Sequence, residues 1–247
     1  MPANILDNIS MVLVATSHPG NIGASARAMK TMGVKNLRLV TPKMFPCAEA
    51  TALAAGADDV LANTRVYQDL QSAINDCGYV LGSSARTRNI PWPVIPPEQA
   101  AVQLLQQAGS GANTAVIFGR ESAGLSNEEI ELCNAIIEIP TGPGFSSLNL
   151  AAAVQIICYE LRKCSSVDAA AAGYEGGDSP LADAGQMDMF YEHLQQFLLA
   201  IGYYDPARPR LLMRRLKRMF NRTRLDQNEY NILRGILTAA QKMVKDR

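Results

Sequence analysis

Residues 9–41, ISMVLVATSHPGNIGASARAMKTMGVKNLRLVT, hold the pattern that decides the fold. The segment opens on an apolar, β-branched run, ISMVLVAT (9–16), which reads as a strand, and closes on a second, NLRLVT (36–41). Between them lie a turn, SHPGN, and a helical stretch over 22–32. That helix begins with Asn21, Gly23, Ala24, Ser25, Ala26 and Ala28, with Arg27 among them. Small residues let a second backbone or a ligand come close. An arginine set among them is either paired or aimed at something.

The same alternation continues along the chain. YVLGSS (79–84), TAVIFG (114–119) and AIIEIP (135–140) read as further strands. Helical patterns fill 47–55, 69–76, 97–108, 126–133 and 147–164, and no internal repeat interrupts them. Strands alternating with helices predict an α/β fold: a parallel sheet with helices on both faces and ligands outside the carboxyl ends of the strands. The chemically unusual stretches SHPGN, SSARTRN, GRESAG and TGPGFSSLN all follow strand ends, where that rule places a site.

Composition bounds what the site can be. The 247 residues are 48% hydrophobic and 19% charged, as expected for a globular chain with a core. No run has the length of a membrane span, and MPANILDNIS lacks the profile of a signal peptide, so a cytoplasmic location is expected. Five cysteines without a C-x-x-C pair, with only His18 and His193 beside them, draw no metal cluster; they read as small buried apolar residues. There is no G-x-x-x-x-G-K-[ST] loop, no G-x-G-x-x-G after the first strand, and no Cys–His or Ser–His–Asp set. Backbone-lined loops without a metal or nucleophile suit a flat polar cofactor held by main-chain groups.

Three regions follow: a domain over 1–164, a linker over 165–184 rich in Ala, Gly, Ser and Asp, and a helical module over 185–247 with helices at 185–201, 206–220 and 226–245. Net charge is zero, but it is unevenly spread. Ser165–Gly202 carries six acids and no Lys or Arg, whereas Arg208–Arg224 carries eight basic residues and no acid. Leu212, Leu216 and Phe220 give the middle helix an apolar face. A solvated helix usually mixes signs, so this segment predicts a polyanion contact, with Arg214, Arg215 and Arg218 as the contacting cations.

Singly, the motifs are weak. Asn21-x-Gly23-x-x-x-Arg27 also fits tight helix–strand packing, and GRESAGLSNEEI (119–130), where Ser126 opens a capping-box pattern, also fits a plain strand-to-helix loop. TGPGFSSLNLAAAVQI (141–156) concentrates more special residues than a turn requires. Together, N21-x-G23-x-x-x-R27-A28, F118-G119-R120-E121-x-x-G124-L125 and S146-S147-L148-N149-L150 resemble, in order and spacing, the signature motifs of SPOUT-class RNA 2′-O-methyltransferases. TSHPGN, RAMKTMG, LAAGADDVL, SARTRNIPWP, NILRGIL and the helical C-terminal module further resemble the bacterial tRNA (cytidine/uridine-2′-O)-methyltransferases, which modify nucleotide 32 of the anticodon loop.

The resemblance implies a parallel-sheet SPOUT fold with a deep trefoil knot, S-adenosylmethionine as cofactor, tRNA as substrate, no metal and a homodimer. The small-residue helices 22–32 and 150–157 offer flat packing surfaces in keeping with the last. It implies that Ser83, Ser84, Ala85, Gly119, Ile139, Ser146, Ser147 and Leu148 bind the cofactor. Arg27, Ser147 and Asn149 fall on the catalytic positions, with Arg27 clamping a phosphate beside the reacting ribose. Arg86 and Arg88 flank the cofactor loop and are expected on phosphates. Several residues keep two readings: Asn149 as a reacting-centre hydrogen-bond group or a helix cap, Trp92 as a base-stacking ring or loop packing. His18 reads as a turn residue before a base, and Glu121 as the orienter of Arg27 or of a loop amide. A ribosomal RNA methyltransferase and a non-catalytic RNA-binding protein are the alternative functions.

Overall fold

The computed structural model describes residues 4–85, 92–144, 147–166, 179–209 and 211–245. Its strands are β1 (Ile9–Val14), β2 (Asn36–Val40), β3 (Arg65–Tyr67), β4 (Cys77–Ser83), β5 (Val94–Ile95), β6 (Asn113–Phe118) and β7 (Ala135–Ile137). The helices are α1 (Pro19–Met32), α2 (Ala48–Ala54), α3 (Asp58–Ala62), α4 (Leu70–Ile74), α5 (Pro97–Gly109), α6 (Asn127–Ile130) and α7 (Leu150–Ser166), followed by α8 (Ala184–Ala200), α9 (Leu212–Thr223) and α10 (Gln227–Lys245). All strand pairs are parallel, in the order β3-β2-β1-β6-β4-β7-β5.

Helices cover both faces, so both side-chain parities of the central strands are apolar. Met11 and Leu13 of β1 face a core shared with Ile22, Ala26 and Met29 of α1, Leu104 and Leu105 of α5, and Val154, Ile157 and Leu161 of α7. Val12 and Val14 face the other way, against Leu70, Ala73 and Ile74 of α4, Ile130 of α6 and Trp92. Strands β3 and β5, of three and two residues, and the five-residue α3 were not legible as periodic runs, because such lengths complete no pattern.

Intramolecular packing explains the small residues of α1. A Cβ on Gly23 would collide with the Ala50 carbonyl oxygen of α2. Ser25, Ala26 and Ala28 are buried, and α1 also packs on α7. This corrects the sequence reading: the small faces of these two helices are used within the chain, so they are no argument for a dimer.

The helical module has its own core of Phe190, Tyr191, Leu194, Leu198, Tyr230 and Leu237, onto which Leu212, Leu216 and Phe220 of α9 pack. Helix α9 starts at Leu212 and not near 206, behind a segment that contains Pro206 and Pro209. Two corrections concern the linker. Ser165 and Ser166 finish α7, and Leu181 bridges Asp226 while Ala182 is buried in the module core, its amide donating to the Leu225 carbonyl at 2.8 Å. Residues 167–178 of that linker lie outside the described residues.

The module is also fastened to the sheet domain. Asn221, 7% exposed, donates its side-chain amide to the Glu131 carbonyl at 2.9 Å, and its own carbonyl accepts from Asn134 Nδ2 at 3.1 Å. Asn134 Oδ1 in turn accepts the Val80 amide of β4 at 2.8 Å. Arg214 Nε donates to Glu131 Oε1, and the Arg224 guanidinium lies 4.6 Å from the centre of the Tyr79 ring.

Candidate functional site

Because every strand is parallel, the segments after β1, β4, β6 and β7 emerge at one edge of the sheet. There a cavity of about 310 Å³ opens, a size suited to a small-molecule ligand. Ser83, Ser84 and Ala85 line it from the end of β4, Phe118, Gly119, Arg120, Glu121, Ser122 and Gly124 from the segment after β6, and Ile139, Ser147, Leu148, Leu150 and Ala153 from the segment entering α7. The wall is tight at Gly119, where a Cβ would strike the Gly124 carbonyl carbon and the Leu125 nitrogen; only glycine lets the chain fold back there. The Gly119–Leu125 turn is closed by Gly124 N donating to Arg120 O at 2.8 Å. It leads into α6 through the reciprocal cap of Ser126 and Glu129, and Glu129 Oε2 also accepts from Arg120 Nη1 at 3.0 Å.

Glu121 is the hub of the polar network. Its carboxylate accepts from the Ser17 amide (3.1 Å) and hydroxyl (3.0 Å), the His18 amide (3.3 Å) and Asn21 Nδ2 (3.0 Å). Partial burial pushes this carboxyl up, but the hydrogen bonds from Asn21 and Ser17 outweigh it and hold the group down at about 2. Asn21 Oδ1 then accepts from Asn149 Nδ2 at 2.9 Å, while Asn149 Oδ1 accepts the Ala151 and Ala152 amides at 2.9 and 3.3 Å. One chain of bonds therefore joins the segments after β1, β6 and β7. Ala15, directly before Thr16, Ser17 and His18, holds φ at 49°, a left-handed conformation unusual for a residue with a Cβ and typical of a constrained site.

Of the residues expected from sequence, Ser83, Ser84, Ala85, Gly119, Ile139, Ser147 and Leu148 come together in the cavity wall. Ser146, Arg86 and Arg88 lie outside the described residues. Asn149 caps α7, the second of its readings, and also donates to Asn21. Arg27 is exposed on α1 and is not part of the wall; its guanidinium makes no hydrogen bond or ion pair among the described residues. Glu121 orients loop amides, not Arg27, and His18 is the residue before α1. Trp92 is 7% exposed and donates Nε1–H to the Cys133 carbonyl at 2.8 Å, which removes the base-stacking reading. Cys77, Cys133 and Cys158 are buried, and burial pushes the Cys77 and Cys158 thiols up to about 12; Cys47 and Cys164 are only half-buried. Arg214, expected on RNA, is committed to Glu131, whereas Arg215 is exposed and Arg218 half-buried. Sequence reasoning missed Phe118, Arg120, Glu121, Ser122, Gly124, Leu150 and Ala153 as wall residues, although all but Ser122 and Ala153 are themselves motif positions.

Among the described residues there is no group of three or more His, Cys, Asp and Glu that could hold a metal, and no helix is long and apolar enough to cross a membrane. Residues 8–159 match the model of the SpoU rRNA Methylase family, and the chain belongs to that family. Residues 185–247 match a second model, the tRNA methyltransferase TrmJ C-terminal domain. The tRNA (cytidine/uridine/adenosine-2′-O-)-methyltransferase TrmJ of Pseudomonas aeruginosa (strain UCBPP-PA14) is 45% identical over 98% of this chain and 96% of its own. TrmJ of Pectobacterium atrosepticum, a tRNA (cytidine/uridine-2′-O-)-methyltransferase, is 47% identical over 96% and 98%. The crystal structure of TrmJ from Z. mobilis ZM4 superposes with a TM-score of 0.81 at 34% identity, covering 94% of this chain and 98% of that one.

Proposed function

We propose that this chain is an S-adenosylmethionine-dependent tRNA 2′-O-methyltransferase acting on the ribose of nucleotide 32 in the anticodon loop. The observation that carries the reading is the convergence of the segments bearing the second and third motifs on one cavity, with the first motif joined to them through the Glu121–Asn21–Asn149 bonds. The identity to TrmJ proteins over nearly the whole chain supports tRNA as substrate. The position rests on the resemblance of the sequence to that group.

The cavity fits the cofactor chemically. Phe118, Ile139, Leu150 and Ala153 give an adenine apolar contact, and Ser83, Ser84 and Ser147 offer hydroxyls to a ribose. When bound, S-adenosylmethionine supplies an electrophilic methyl carbon. The protein's task is then alignment, worth about 7–11 kcal/mol when two reactants are held in a reactive geometry. Gly119 gives the ligand close access to main chain, and Ser147 and Asn149 supply hydrogen bonds at the entry to α7. Arg27 holds the phosphate beside the target ribose. As a permanent cation it does not itself serve as base; it holds that phosphate where it can take up the 2′-hydroxyl proton, and stabilises the negative charge that develops on the ribose oxygen.

The module presents its exposed α9 cations to the tRNA body, Arg215 and Arg222 foremost, with Arg218 beside them. Arg86 and Arg88, which follow Ala85 in the chain, are phosphate contacts by the same resemblance. The enzyme works in the cytoplasm as a homodimer, a state supported by the family resemblance; sedimentation at micromolar concentration should give twice the chain mass, and a fully active monomer would overturn it.

The functional test is incubation with methyl-labelled cofactor and either bulk tRNA or ribosomal RNA, followed by nucleoside mass analysis. Label in ribose-methylated nucleosides of tRNA is expected. Label confined to ribosomal RNA, or absent, overturns the reading.

A further inference from the structure

The connection between α8 and α9 carries a second, unassigned hollow. It measures about 390 Å³ and is lined by Tyr203, Tyr204, Asp205, Arg208, Pro209 and Leu212. Tyr203 is 69% exposed, an unusual position for an aromatic ring with no partner to cover it. Its placement is fixed all the same: the Tyr203 and Tyr204 amides both donate to the Leu198 carbonyl, at 3.0 and 3.1 Å, and Tyr204 packs on the module core. Asp205 Oδ1 takes the Ala207 amide at 2.9 Å. Arg208 is also exposed; its amide donates to the Asp205 carbonyl at 3.0 Å, but its guanidinium forms no hydrogen bond or ion pair among the described residues, so its charge is available beside the rings. The hollow opens the acid-free segment Arg208–Arg224, whose exposed cations Arg215 and Arg222 continue along α9.

An exposed ring, a concave wall and an unpaired guanidinium at the head of a basic helix match the needs of one unstacked nucleotide. The base has a π-face for the ring, and its phosphate has charge for the arginine. A protein partner would also use Tyr and Arg, but eight cations without an acid favour a polyanion. We propose that the hollow between Tyr203, Tyr204 and Arg208 is a nucleotide pocket, which takes one unpaired base of the tRNA on the Tyr203 ring and its phosphate on Arg208. This deepens the reading of the module as a tRNA-facing surface and rests on it. The pocket grips the substrate away from the methyl-transfer cavity, so its loss should raise KM for tRNA while kcat at saturating tRNA is kept.

The test uses the full chain and tRNA binding measured over a series of salt concentrations. Tyr203→Ala should weaken binding about tenfold, since stacking on one aromatic ring is worth at least that order in affinity. Tyr203→Phe and Tyr203→Trp should bind as the parent does, the latter because a larger ring still stacks where a packing role would be disturbed by its bulk. Arg208→Ala should flatten the log–log salt slope by about 0.7, and Arg208→Lys should restore it. Cofactor affinity should be unchanged throughout, which also reports that the variants fold. The proposal is overturned if Tyr203→Ala binds tRNA within twofold of the parent. In that event an Arg215→Ala/Arg222→Ala variant separates the two readings: lost affinity there keeps the module on the tRNA without this pocket, and unchanged affinity removes both.

Discussion

Glu121 shows how much one residue can determine here. Its carboxylate collects the loop after β1 and, through Asn21, the cap of α7, and it is held ionised at about 2 against an unfolded value of roughly 4.3. A lowered pKa in the folded state gives stability that is complete above the unfolded value and is lost as pH falls toward 2. Glu121→Gln should therefore cost stability by a constant amount, about 1–2 kcal/mol for a part-exposed hydrogen-bonded charge, from pH 8 down to about 5. The deficit should narrow below about pH 4. Denaturant unfolding at several pH values measures it; a deficit that grows in acid would contradict the assignment. Asn149 separates its two duties in a similar way. Asn149→Asp keeps an acceptor for the Ala151 and Ala152 amides, so the melting temperature should hold, but it removes the donor to Asn21, so activity should fall at least tenfold. Asn149→Ala should lose both, with about 1 kcal/mol of stability. Sequence could place these residues at strand ends but could not join them, because the bonds span 104, 100 and 128 positions.

At the scale of elements, long periodic segments were readable and short or tertiary ones were not. The strands β1, β2, β4 and β6 and the helices α1, α5 and α7 carry their burial pattern in the chain itself. Trp92 did not, since its choice between a nucleobase and the Cys133 carbonyl depends on where the turn before β7 sits. Arg214 is the same case: within α9 it looks like its neighbours, and only the docked helix shows Glu131 opposite it. The α1–α2 contact gives a sharp prediction. Gly23→Ala forces the two backbones apart and should cost about 1–3 kcal/mol, visible as a lower denaturant midpoint. A neutral effect would mean that α2 does not sit where the structure puts it.

For the molecule as a whole, the parallel alternation was legible as a fold class, whereas the expectation of a trefoil knot rests on the motif resemblance alone, since periodicity carries no information about threading. The charge asymmetry pointed to a separate basic module. What it hid is the docking of that module, through Asn221, Asn134 and Arg224, onto the strand that ends in Ser83. The module and the cavity are thus held at fixed spacing. Asn221→Ala leaves the Glu131 and Cys133 carbonyls without their shared donor and should cost about 1–3 kcal/mol, with weaker tRNA turnover but little loss of cofactor affinity. The central claim is methyl transfer to one ribose of a tRNA, and alkaline cleavage reads it directly, because strand scission needs a free 2′-hydroxyl. A tRNA treated with this protein and S-adenosylmethionine should give a hydrolysis ladder with a single new gap, at the phosphodiester following nucleotide 32. A ladder identical to that of untreated tRNA, or a gap elsewhere, would contradict the account.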